Sequence, residues 1–199
     1  GNALISRRYS VPLYAAAAAL PLIANKPFLF PYQEFVWGYP EPSAALPVPA
    51  QISTPLYNFE VIETPGHAEG HIVLLEKRRG WCFSGDIFAR EAPKFIRPEE
   101  DMAATILSLK RILEIAPEKL ILFTSLGRIV ENGREALAAN IRHLRELARR
   151  VQARHREGHT VEEIVAELFG GEHPFARMTD GQYTTANLVC SVLKIEPDK

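Results

Sequence analysis

The chain has 199 residues, 47% of them hydrophobic, and its 23 basic and 24 acidic side chains leave a net charge of -1 at pH 7. This length and apolar content allow one domain, or one domain with an appendage, around a sizeable core. The balanced charge argues against a general nucleic-acid or anionic-membrane binder, so neither is expected as a partner. Two cysteines cannot build a disulfide framework, and we therefore expect a cytoplasmic protein.

The first segment starts at Gly1 without a methionine and continues as helix-like sequence at 2–9 and a short strand at 11–15. We interpret this start as that of a processed or truncated product. The apolar run at 15–24 is interrupted by Pro21 and is too short to span a bilayer, and no signal peptide is visible. We therefore expect no membrane-spanning segment.

Residues 25–55 are rich in proline and aromatic residues. The prolines exclude a long helix or a central strand, so we expect an ordered surface loop. Its aromatic side chains need something to pack against, which favours a pocket wall or a partner surface. We predict that Phe35, Trp37 and Tyr39 line the substrate pocket.

The rest of the chain alternates strands and helices and then becomes helical. Alternating or apolar runs predict strands, and apolar residues at helical spacing predict helices, one of them opened by Thr160 and Glu163 as a capping box. This order predicts an α/β layered core with a helical appendage. The predicted strands are 56–64, 71–77, 81–86 and 119–125, and the predicted helices are 99–116, 133–156, 160–170 and 184–194.

Two polar side chains follow strand ends in the centre of the chain. His67 lies in the turn TPGH, and Asp86 lies in the turn SGD two segments later. Turns at strand ends meet at one rim of a sheet, and imidazole and carboxylate suit zinc and related divalent ions. Gly66 and Gly85 are expected to let the backbone pass close to a bound ion.

The stretch TPGHAEGH, followed by a hairpin and FSGD, resembles the central part of the metallo-β-lactamase-fold hydrolases. The resemblance implies an α/β (α+β) class αββα sandwich that lacks its opening strands, with a C-terminal helical extension. The implied domains are 1–130 and 131–199. It also implies a small-molecule substrate and one or two zinc ions, with His67 as the third histidine of one site and Asp86 as the carboxylate that bridges two ions.

Two parts of the family pattern are missing. The His-x-His-x-Asp-His motif is absent from the sequence, and Leu126 stands in the turn TSLGR where the resemblance predicts a histidine. His67 and Asp86 alone are too few for a tight site, because catalytic zinc has three protein ligands. The chain is therefore expected to have a depleted metal site. Binding of no metal at all is one form of this expectation.

The leading interpretation is a hydrolase in which metal-bound hydroxide attacks an ester, thioester, lactone, amide or phosphoester. The alternative is a catalytically inactive scaffold or binding module on the same fold, and Leu126 favours it. A weaker option is nucleic-acid binding through the basic segment 141–159, but its apolar stripe at helical spacing favours an ordinary helix with one solvated face.

Three smaller expectations follow. His71 opens a strand and is expected to pack or hydrogen-bond near the site, with an orienting role toward a metal ligand as the weaker alternative. Cys82 alternates with Phe83 on a strand and is expected to be a buried small side chain. An incomplete sandwich exposes apolar sheet surface, so we expect a homodimer that covers it.

Overall fold

The computed structural model describes residues 1–196. Six of its strands form one mixed sheet, and the first two pair separately as a short parallel ladder. The strands are β1 (Tyr14–Ala15), β2 (Leu46–Pro47), β3 (Gln51–Ser53), β4 (Asn58–Glu63), β5 (Ile72–Glu76), β6 (Trp81–Gly85), β7 (Ile121–Thr124) and β8 (Ile129–Val130).

The large sheet has the simple spatial order β3-β4-β5-β6-β7-β8. Neighbouring strands are antiparallel except β6 and β7, which run parallel and need a crossover connection. The register of this parallel pair shifts between Phe83 and Gly85. Such irregularities end strand pairing and re-aim side chains, and this one directly precedes Asp86.

Helices occupy both ends of the chain and the crossover between β6 and β7. The crossover helix α4 begins at Met102 because the Asp101 side chain accepts hydrogen bonds from the first-turn amides of Ala103 and Ala104. The helices are α1 (Asn2–Tyr9), α2 (Leu20–Ala24), α3 (Pro31–Trp37), α4 (Met102–Ile115), α5 (Gly133–Arg156), α6 (Val161–Phe169), α7 (Phe175–Met178) and α8 (Thr185–Val192).

The core lies between one face of the sheet and the C-terminal helices. Alternate residues of the central strands point into it and are fully buried: Val73, Leu75, Cys82 and Leu122. The predicted apolar stripe of α5 completes this core, and its basic residues face outward. The mixed α/β class is therefore confirmed. The boundary at residue 130 stays a prediction, and residues 197–199 of the predicted second domain lie outside the described part.

The other face of the sheet carries five aromatic side chains in contact, which we call the aromatic row. Phe83 stacks on Phe123 with ring centroids 4.9 Å apart, and the other three rings lie within 6.4 Å of a neighbour in the row. All five side chains are partly or largely exposed. The row consists of Tyr57, Phe59, Trp81, Phe83 and Phe123.

The proline-rich segment differs from the expected loop because it contains a helix. Pro31 stands in the first turn of α3, where its missing N–H has no helical partner to lose. The expectation that the aromatic residues here are packed is wrong for Phe28 and Phe35, which are 80% and 92% exposed.

Among residues 1–196 no helix combines the length and apolar character needed to cross a membrane.

Candidate active site

The TPGH turn is held by the start of α4. Asp101 N–H donates to the Gly66 carbonyl at 2.7 Å, and the Ser108 hydroxyl donates to the Pro65 carbonyl at 2.7 Å. Gly66 has φ +133°, and a Cβ there would lie 2.3 Å from the Thr105 hydroxyl. The glycine therefore makes room for α4, whereas the sequence suggested room for an ion.

The structure brings the two predicted ligands together. His67 Nε2 lies 3.7 Å from Asp86 Oδ2, and the two side chains are 21% and 48% exposed. Both follow strand ends at the same edge of the sheet, after β4 and β6. The spacing of TPGH and SGD in the sequence thus corresponds to a contact in the fold.

A carboxylate that the sequence analysis missed holds the other side of the His67 ring. Glu100 Oε2 accepts from His67 Nδ1 at 2.9 Å, and its side chain is 8% exposed. The Glu100 carbonyl also accepts from the Ser191 hydroxyl of α8, which in turn accepts from Met102 N–H at 2.9 Å. Glu100 was part of the predicted helix start, where acidic residues are ordinary, so nothing in the sequence set it apart.

Arg97 is the second residue that the sequence analysis missed. Its Nη2 lies 3.3 Å from His67 Nε2 and donates to the His67 carbonyl at 3.3 Å. Its side chain is 15% exposed and pairs with Glu100 and Glu99. Burial lowers the pKa of Arg97, but Tyr183 and the two glutamates outweigh it, so the net pKa lies above its ordinary value.

His71 links the two strand ends behind the site. Its Nδ1 lies 2.8 Å from the Thr64 hydroxyl, and its Nε2 accepts from Asp86 N–H at 3.1 Å. Gly85 permits this approach, because it has φ +54° and a Cβ would lie 2.7 Å from His71 Nε2. Burial, and then the nearby His67, lower the pKa of His71, which keeps the ring neutral as this acceptor role requires.

The turn after β7 contacts Asp86 through a hydroxyl. The Ser125 side chain donates to Asp86 Oδ1 at 2.5 Å, and Ser125 N–H donates to the Gly85 carbonyl at 3.2 Å. Leu126, the next residue, is 55% exposed. The turn therefore reaches the site where the resemblance implied a ligand, but it supplies an apolar side chain there.

The described residues do not by themselves fit a bound metal ion. No cluster of three or more His, Cys, Asp and Glu side chains placed to hold a metal occurs within residues 1–196. His67 would bind a metal ion through Nε2, but this nitrogen faces the guanidinium of Arg97. One lone pair cannot accept a hydrogen bond from the guanidinium and bind a metal ion at the same time. His67 and Asp86 are at most part of a site that other ligands complete.

A pocket of about 380 Å³ opens beside these residues, and His67, Asp86, Glu100 and Leu126 line it. Trp37 lines this pocket, and its predicted contact with substrate stays a prediction. Phe35 and Tyr39 lie outside the lining of this pocket. In α3, Tyr32 and Val36 are four residues apart and share the face toward the pocket, while Phe35 points to solvent. The other aromatic lining residues are Phe95, Phe175 and Tyr183.

Comparisons with known proteins agree with this architecture. No protein-family model matches the chain. A curated relative, beta-lactamase-like protein 2 homolog of Drosophila melanogaster, is 34% identical over 91 residues, which cover 45% of this chain and 29% of the relative.

Solved structures extend the similarity over more of the chain. A β-lactamase domain protein from Burkholderia ambifaria matches with a TM-score of 0.71 and 18% identity over 92% of this chain and 58% of its own. The protein TTHA1623, in a di-iron-bound form, matches with a TM-score of 0.53 and 26% identity over 67% of this chain and 66% of its own.

The chain spans less than two thirds of the length of these proteins. Further matched structures are named as metallo-β-lactamases or as a metallo-β-lactamase family protein. The overall fold is thus shared with proteins of that name. The chain is similar in sequence and structure to proteins of the metallo-β-lactamase superfamily and has the fold of those proteins.

Proposed function

We propose that the protein is a metal-dependent hydrolase of this superfamily, and that the chain contributes part of its metal site and its substrate pocket. One observation carries the proposal: His67 and Asp86 lie 3.7 Å apart and line a pocket of about 380 Å³. Imidazole and carboxylate groups next to a largely apolar pocket are typical of a small-molecule site. The remaining metal ligands would come from outside the described residues.

The substrate is proposed to be an ester, thioester, lactone, amide or phosphoester with an apolar part. Trp37, Phe95 and Tyr183 would hold that part and exclude water. Ser125 and His71 would fix Asp86, the first through its side chain and the second through its backbone. Zinc is the proposed metal, and the di-iron form of TTHA1623 makes iron the second metal to test.

Metal analysis of the purified chain tests the proposal first. We expect zinc or iron kept in excess throughout equilibrium dialysis to bind the wild type weakly, because His67 and Asp86 are only part of the site, and elemental analysis measures the stoichiometry. His67→Ala and Asp86→Ala should each lose most of it, because each removes one of the two ligand groups. Metal retained equally by all three proteins would contradict the proposed site.

Activity is tested on the same preparations with one chromogenic substrate from each of the five bond classes. Turnover that disappears in His67→Ala, and on chelation, would support the hydrolase. The control is Phe35→Ala, which leaves the pocket unchanged because Phe35 is 92% exposed outside it.

A second candidate is a binding module without catalysis. Two observations favour it: the guanidinium of Arg97 faces His67, and Leu126 lies in the turn beside Asp86. This candidate predicts that apolar small molecules bind the pocket without turnover, whether or not metal is added. Chelator-sensitive turnover would exclude it.

A further inference from the structure

Arg97 lies at the nitrogen that His67 would offer to a metal ion. We propose that Arg97 is the resident cation of this site, and that a metal ion binds His67 only when the guanidinium withdraws. This inference rests on the proposed metal-dependent function and adds a determinant of metal affinity within the chain. It also gives a role to the guanidinium at this nitrogen, whereas the shortage of ligand side chains among the described residues is a separate misfit.

The hydrogen bonds of His67 define which nitrogen carries the proton. Glu100 is a carboxylate that can only accept, so the 2.9 Å contact places the proton on Nδ1. Nε2 then carries the free lone pair. This is the form of histidine that binds metals through Nε2, with a carboxylate behind it to orient the ring. Nε2 of this imidazole can therefore interact with a cation.

The cation that meets this lone pair is the guanidinium of Arg97, whose Nη2 is 3.3 Å from Nε2. A hydrogen bond from a charged donor is stronger than one between neutral groups. Metal binding must displace it, because the same lone pair cannot serve both. The two cations therefore compete for one atom.

Arg97 is fixed in this position from several sides. Its backbone N–H donates to Glu100 Oε1 at 3.0 Å, and its Nε donates to the same oxygen at 3.4 Å. Its guanidinium lies over the Tyr183 ring at 5.8 Å. With 15% of the side chain exposed, the guanidinium has little water to return to, which strengthens each contact. A metal ion must therefore compete for Nε2 of His67 with a guanidinium that is buried and held by several contacts.

Arg97 also has a purely structural alternative role, as a brace for Glu100 and the loop before α4. Only the competition model requires that the state of the His67 lone pair depends on Arg97. The ring nitrogens of His67 report this directly by ¹⁵N NMR of the metal-free protein. This measurement needs no metal and no activity.

We expect Nε2 of wild-type His67 to give the signal of an unprotonated, hydrogen-bonded nitrogen. In Arg97→Met the signal should move to that of a free unprotonated nitrogen, and Arg97→Lys should keep an intermediate value. The matched control is Arg90→Met, because Arg90 lines the same pocket but its guanidinium lies over the Phe95 ring. Thermal melts identify any variant that fails to fold, and the wild-type signal still tests the contact in that case.

Zinc titration of the metal-free proteins by calorimetry then tests the competition. Arg97→Met should bind zinc about tenfold more tightly than the wild type or more, since it no longer loses a charged hydrogen bond. Arg90→Met should bind like the wild type. Adding His67→Ala to Arg97→Met should abolish the gain.

The outcomes separate the two proposals. An Nε2 signal that is unchanged in Arg97→Met overturns the role of Arg97, whatever zinc does. A moved signal with equal zinc affinity overturns the competition. Zinc binding that is insensitive to His67→Ala in every background overturns the proposed metal site, while the NMR result still decides whether Arg97 engages His67.

Discussion

The two faces of the six-stranded sheet are occupied in different ways. One face is buried in a core shared with the C-terminal helices and carries aliphatic side chains such as Val73 and Leu122, which are fully buried. The other carries the aromatic row, in which Phe83 is 40% exposed. The helices of this chain thus complete one interface of the sheet and leave the other partly open. The candidate site lies at the edge between the two.

The largest expected difference between the faces is in their contribution to stability. Leu122→Ala removes a fully buried side chain and should lower the free energy of unfolding by about 2–5 kcal/mol. Ile129→Ala is the matched control, because Ile129 is 64% exposed on neighbouring β8 and should change stability by about 0.5 kcal/mol or less. Urea denaturation measures both, and equal losses would remove the distinction.

The second prediction uses the thiol on the buried face. Burial raises the pKa of Cys82 to about 12 from an ordinary value of 9.0. The unfolded chain therefore loses this proton first, and the free energy of unfolding should fall as pH rises from 9 toward 12. The loss approaches ~4 kcal/mol at the upper end.

Cys82→Ala should remove this part of the alkaline loss, which denaturation at several pH values would measure. Cys190 is exposed and provides the control. A thiol reagent should modify one cysteine in the native protein and both after unfolding. Rapid native modification of Cys82 would mean that the helical cover opens readily.

The third prediction concerns the aromatic row and the expected homodimer. Phe83→Ser should cost about 1 kcal/mol within one chain, because it loses an aromatic pair and only half-buried area. If a second copy covers the row, the same change should also shift the sedimentation profile from dimer to monomer. A wild-type chain that is monomeric at all concentrations would count against the dimer.

The smallest effects should come from the exposed side of α3. Phe35→Ser should change stability by about 0.5 kcal/mol or less and leave the pocket intact, because Phe35 is 92% exposed. Trp37→Ala should weaken the binding of an apolar fluorescent probe, since Trp37 lines the pocket. Similar losses in both variants would mean that α3 acts as a unit.

The sequence predicted the regular elements better than their surroundings. β5, β6, α4 and α5 follow from periodicity and caps, and α5 has the predicted bounds of 133–156. The sequence analysis excluded only a long helix in this segment and predicted a loop. The short helix α3 was therefore not predicted, although a proline in the first turn is compatible with a helix. Burial of the aromatic residues around it depends on tertiary contacts that no local pattern contains.

The site could be predicted only in part, for a physical reason. His67 and Asp86 stand in turns with recognisable local sequence, and the structure brings them within 3.7 Å. Glu100 and Arg97 contact His67 from a loop about thirty residues away in sequence. In the sequence, Glu100 is typical of the acidic residues at a helix start, and Arg97 is an ordinary basic residue close to it. The fold selects them by geometry, which the spacing of residue types does not encode.

The hydroxyl of Ser191 gives the site a link to the far end of the chain. It accepts from the Met102 amide at 2.9 Å and donates to the Glu100 carbonyl at 3.1 Å. Met102 N–H stands in the first turn of α4, so no helical carbonyl protects it from exchange with deuterium. Its exchange rate therefore measures how often α8 lifts away, and each opening also frees the backbone that carries Glu100.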